Sequence, residues 1–104
     1  MSRENVINRL SLVLNKEDIQ RIKVSEGNIT VDLHNLGTKD AMILINNIIN
    51  INRDECNIRL IHGYNHGIAL KDMINSRFKN PRIVKKQAVS GNLGMTILAC
   101  KSIC

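Results

Sequence analysis

Residues 29–49, ITVDLHNLGTKDAMILINNII, change their hydrophobic period half-way along. Ile29, Val31 and Leu33 alternate with Thr30, Asp32 and His34, the two-residue period of a strand. From Ala41 the apolar positions move to helical spacing, with Leu44, Ile45, Ile48 and Ile51 on one stripe. Thr38 is a candidate N-cap, and Asp40 sits in the first turn, where the helix dipole favours a negative charge. A strand followed at once by a helix predicts a β-α unit, with Asp32 and His34 on one face of the strand's end.

Working outward, residues 58–62, IRLIH, form a second short strand ending at His62. The loop GYNHG leads into a helix carrying Ala69, Leu70, Met73, Ile74 and Phe78, which Pro81 stops. RIVKKQAV and GMTILACK then read as two strands joined by the SGNLG turn. The order is β-α-β-α-β-β, an α/β two-layer sandwich with one mixed sheet over residues 28–104. Ahead of it, Val6, Ile7, Leu10, Val13 and Leu14 keep helical spacing, and Asn15 can cap a second short helix. Residues 1–27 are therefore expected to be a helical lead-in, closed by the turn SEGN.

The 104 residues suit one domain, and with no Trp, one Tyr and one Phe its core must be aliphatic. No apolar run is long enough for a membrane span, and MSRENVINRL carries polar residues where a signal peptide needs an apolar stretch. A cytoplasmic protein without membrane contact, monomeric by default, is the expectation. Cys56, Cys100 and Cys104 show no paired C-x-x-C spacing, so neither a disulfide framework nor a structural zinc site is suggested. A net charge of +6 favours a polyanionic partner.

Two parallel strands joined by a right-handed crossover finish at the same sheet edge, where ligands of open α/β sheets bind. Asp32, His34 and His62 would converge there, beside Gly63 and Gly67, whose backbones can approach a phosphate closely. A neutral histidine can take a proton from water or a ribose hydroxyl, and Asp32 can orient a histidine or help hold Mg²⁺ or Mn²⁺. Lys71, Arg77, Lys79, Arg82, Lys85 and Lys86 supply a candidate track for a phosphate backbone, and Tyr64 a face for an unpaired base. Asn65 and His66 lie in the same loop. Each residue also has a plainer reading: a bonded histidine at a strand end, a tight turn made by glycines, a solvated basic face.

At these positions the chain resembles the Smr domain, the small MutS-related domain. VDLHNLGTKDA is similar to its Leu-Asp-x-His opening motif, IRLIHGYNHGIALKDMI to its His-Gly-x-Gly loop and following helix, and NLGMTILAC to its Gly-x-Thr strand. The resemblance spans about residues 28–101, with Asn35 in place of a family Gly and Asn65 in place of the loop's second Gly. It implies a fold like the C-terminal domain of translation initiation factor three. It also implies a nucleic-acid-binding domain that in several members nicks DNA or cleaves RNA, with Asp32, His34, His62 and Gly63 as motif residues and Gly67 and Thr96 as supports. A binding module of the same fold that does not cut is the alternative.

Overall fold

The computed structural model describes residues 3–63, 68–89 and 92–103, the side chains of 3, 4, 92 and 93 excepted. Helices α1 (Arg3–Ser11) and α2 (Lys16–Gln20) precede strands β1 (Ile22–Ser25) and β2 (Asn28–Asp32). Helix α3 (Thr38–Ile51), strand β3 (Cys56–Ile61) and helix α4 (Ile68–Asp72) follow, α4 running on as a π-helical turn over Met73–Arg77. Strands β4 (Ile83–Val89) and β5 (Asn92–Cys100) complete one five-stranded sheet in the order β1-β2-β3-β5-β4. Only the β2–β3 pair is parallel, so the sheet is mixed and the expected β-α-β-α-β-β order is present.

The lead-in departs from expectation at its end. Residues 22–25 form a strand, pairing antiparallel with β2 from Ile22↔Val31 to Ser25↔Asn28. The two-residue turn between them needs a left-handed backbone, and Gly27 supplies it at φ +69°. Ile22 and Val24 point into the core while Lys23 and Ser25 are exposed, the alternation of a half-buried strand. The helices before it behave as expected: the Asn15 side chain accepts the Asp18 N–H at 2.8 Å, and Val6 and Leu10 are buried, although Val13 is exposed.

All the helices lie on one side of the sheet. Ile22, Val24, Ile29, Val31, Ile58, Leu60 and Leu98 face them and are buried with Ala41, Leu44, Ile45, Ile48 and Ile49 of α3 and Leu70, Met73, Ile74 and Phe78 of the last crossover. Each such side chain contributes roughly 1.5–3 kcal/mol by leaving water. Helix α3 is capped at Gly37, with Thr38 its first residue, and Ile51 is only partly buried. The alternate positions, Lys23, Ser25, Asn57, Arg59, Lys85 and Gln87 among them, face away from the helices and are exposed. The molecule is thus a two-layer α/β sandwich, and among the described residues nothing covers the second face of the sheet.

Two of the expected phosphate contacts are part of this scaffold. Arg82 is only 7% exposed, and its guanidinium donates to the carbonyls of Ile49, Asn52, Asp54 and Lys101. It ties the end of α3, the following loop and the segment after β5 together, which takes it out of any surface track. The Lys86 ammonium donates to the carbonyls of Ile74 and Phe78, closing the π-helical turn. Cys56 and Cys100 lie opposite each other on β3 and β5, free and buried, whereas Cys104 lies outside the described residues. Among the described residues no helix is long and apolar enough to cross a membrane.

Candidate functional site

The parallel register runs from Asn28↔Asn57 to Asp32↔Ile61, and the Leu33 N–H reaches the Ile61 carbonyl at 2.8 Å. β2 and β3 therefore end together. Beyond β2 the chain turns sharply through Asn35 at φ +68°, a left-handed conformation that Asn tolerates and that Gly would adopt freely. Beyond β3 it turns through Gly63 at φ +87°. A Cβ built on Gly63 would lie 3.9 Å from the His34 Cβ, so the two turns touch, and it is the backbone angle rather than lack of space that calls for glycine.

Asp32 and His34 form a pair. The Asp32 Oδ1 accepts the His34 backbone N–H at 3.1 Å and lies 2.5 Å from the ring Nδ1. An ionised carboxylate only accepts, so Nδ1 carries a proton toward it, and the uncharged form of the ring has its lone pair on Nε2. The side chains are 56% (His34) and 41% (Asp32) exposed. Partial burial pushes the Asp32 carboxyl up, but the hydrogen bonds from His34 and the nearby charges of His34 and Arg21 outweigh it and hold the group below the usual carboxylate range.

Arg21, which sequence reasoning missed, fastens this pair. Its Nη1 donates to the carbonyls of Asp32 at 3.0 Å and His34 at 3.1 Å, and its own carbonyl accepts the Asp32 N–H at 2.9 Å. The residue caps the end of α2 immediately before β1, so the lead-in builds part of the site. The only signal for it in the sequence is the short Ile22, Val24 alternation that makes β1 a neighbour of β2.

His62 is placed differently from the expected catalytic histidine. It is 1% exposed, its Nε2 lies 3.1 Å from the Thr96 Oγ1 and its Nδ1 lies 3.2 Å from the Gly63 carbonyl. A carbonyl accepts, so Nδ1 donates and the threonine hydroxyl donates to Nε2, leaving neither nitrogen for a substrate. Burial pushes its pKa down and the Lys71 charge adds to this, outweighing the opposing Gly63 carbonyl, so the balance favours the neutral ring. Thr96 is paired with Leu60 on the helix-covered side, whereas Asp32 is level with Ile61 and Met95 on the open side. The three residues meet at one edge, as expected, but the histidines turn to opposite faces. Among the described residues no hydrogen bond joins His62 to the Asp32–His34 pair.

Of the expected basic track, Arg77, Lys79 and Lys85 are exposed and Lys71 is half-buried on α4. Tyr64, Asn65, His66 and Gly67, expected to bind phosphate or base, lie outside the described residues. Among the described residues no three His, Cys, Asp or Glu side chains gather to hold a metal ion. Asp32, the candidate ligand for Mg²⁺ or Mn²⁺, already shares one oxygen with His34, so the donor set does not build a protein cage for such an ion. No family model matches the chain, and neither the curated proteins nor the solved structures contain a match to it.

Proposed function

We propose that the chain is an Smr-like nucleic-acid-binding protein, with the fold of the C-terminal domain of translation initiation factor three, that cleaves phosphodiester bonds at the Asp32–His34 pair. The observation that carries this reading is the 2.5 Å contact of a depressed carboxylate with an exposed imidazole at the common end of two parallel strands. Asp32 holds the ring in the Nδ1–H tautomer and stabilises the imidazolium once it forms. Nε2 takes the proton of water or of a ribose 2′-hydroxyl as that oxygen attacks phosphorus, and the imidazolium then returns a proton to the leaving oxygen. Arg21 holds the pair in place, and the surface cations Arg77, Lys79 and Lys85 hold the phosphate backbone. His62 keeps the Gly63 turn in shape from below and takes no proton.

The test is conversion of supercoiled plasmid to its nicked form, or shortening of single-stranded RNA, by the purified protein. Asp32→Asn and His34→Ala are each expected to slow cutting ~10²–10⁴-fold while leaving binding nearly intact. Unchanged cutting by both variants would assign the activity to a contaminant. A second reading, a binding module that does not cut, is favoured by the engagement of both His62 nitrogens, which among the described residues leaves only His34 with an open ring nitrogen at the edge. Firm binding with no cleavage of any substrate, with or without Mg²⁺ or Mn²⁺, decides for it.

A further inference from the structure

The side of the sheet away from the helices carries no other layer of the described chain, and its composition is not that of a neutral solvated surface. Cross-strand neighbours share a face, so the register lays out its rows. One row runs Lys23, Thr30, Arg59, Ile97, Gln87 across the strands; the next holds Asn28, Asn57, Ala99 and Lys85; the row at the carboxyl edge holds Asp32, Ile61 and Met95. Lys23, Arg59 and Lys85 are exposed, and no carboxylate stands on their two rows. Among the described residues the only ion pair is Asp32 with His34, so no described carboxylate neutralises these three cations.

We infer that this open face is a platform for single-stranded nucleic acid, with Lys23, Arg59 and Lys85 on its phosphates. The inference rests on the nucleic-acid reading above and extends its phosphate contacts from Lys85 across the open face to Arg59 and Lys23, since Arg82 and Lys86 are taken up by the scaffold. Lys23 and Arg59 are two strands apart in one row, as are Arg59 and Lys85 with a shift of one row, which spaces the cations by ~10 Å across the sheet. Between them lie half-buried Thr30, Ile97 and Ala99, low enough for bases to lie flat on the sheet. A duplex presents a convex ridge to such a surface and reaches fewer of the three. A second copy of this chain is disfavoured because it would bring six like charges together. With no aromatic on the described face, stacking contributes little, so binding is tolerant of sequence and sensitive to salt. Asp32 shares the face, so a strand lying on the platform runs up to the Asp32–His34 pair.

The experiment compares two triple variants of the full chain by fluorescence anisotropy with labelled oligo(dT) and oligo(U) across a salt series. Lys23→Gln, Arg59→Gln, Lys85→Gln together are expected to weaken binding at least ~10-fold and to reduce the slope of log affinity against log salt by ~2, at about 0.7 per lost single-strand contact. Lys16→Gln, Lys39→Gln, Arg53→Gln remove the same charge from exposed positions off the open face and are expected to bind like the wild type. All six positions are exposed, so circular dichroism should be unchanged in both. Equal weakening by the two triples, or a platform triple that binds like the wild type, overturns the platform and leaves the nucleic-acid reading standing. A polyglutamate peptide that binds as tightly as the oligonucleotides, or tighter binding of duplex than of single strands, overturns the assigned partner. No binding by the wild type at any salt overturns both readings.

Discussion

The two ends of the sheet use the same residue types in opposite ways. At the carboxyl end of β2, Arg21 and His34 stay partly in water and hold Asp32 at the surface. At the far end, Arg82 is buried and spends its donors on four backbone carbonyls, and Cys56 and Cys100 are enclosed beside it. The histidines repeat the contrast at closer range: His34 keeps one nitrogen outward, and His62 has both engaged. What separates a group open to a ligand from a structural one is whether its remaining hydrogen-bonding capacity faces solvent, and residue type does not reveal that.

The contrast is broken most severely at Arg82. Arg82→Met takes a shared buried donor away from the carbonyls of Ile49 and Asn52 and is expected to cost at least ~3 kcal/mol. Thermal unfolding checks this; a loss below about 1 kcal/mol would mean that the carbonyls find water instead. Thr96→Val removes the partner of a buried imidazole nitrogen, at a cost of about 2 kcal/mol.

The same ring sets a pH dependence. The His62 pKa is depressed below 6.5 in the folded chain, so the unfolded chain binds the proton more readily. Its contribution is present above pH 6.5 and is lost as pH falls from there through the folded pKa. Asp32 acts in a lower window: its contribution is present above the unfolded value of 3.8 and fades as pH falls through its depressed folded pKa. Urea denaturation at pH 7.5 and 5.5 should show the His62 loss in the wild type and a flatter response in His62→Gln.

Smaller effects sharpen the exposed end. Arg21→Ala removes two bonds to carbonyls in a partly hydrated setting and is expected to cost ~1 kcal/mol in stability. In a cleavage assay it should lower the rate more than it weakens binding, because it frees the turn that carries Asp32 and His34. Asn35→Gly should change stability by less than ~1 kcal/mol, since Gly accepts the left-handed backbone without strain but gains freedom in the unfolded chain. Denaturant midpoints for the two variants, compared at constant slope, test that order.

Much of this was legible in the residues. The switch from period two to period three-and-a-half after Asp32 marks β2 and α3, and a strand-helix-strand unit brings the ends of β2 and β3 to one edge with Asp32, His34 and His62 on them. Asn35 reads as a left-handed turn for the same local reason. β1 was harder: two apolar residues, Ile22 and Val24, are too short an alternation to stand against the helical pattern before them, and pairing with β2 is what makes them a strand.

The amino-acid sequence by itself determined the types and order of the elements from β2 onward and the edge on which the polar residues gather, because periodicity and backbone preference act over a few neighbouring residues. The tertiary structure alone decided which of those polar groups keep a free valence. Arg82 reaches carbonyls 19 to 33 residues away and His62 a hydroxyl 34 residues away, partners that no local pattern specifies. Burial then fixes their charge state and direction, since a polar group taken out of water must be bonded to whatever the packing has brought beside it.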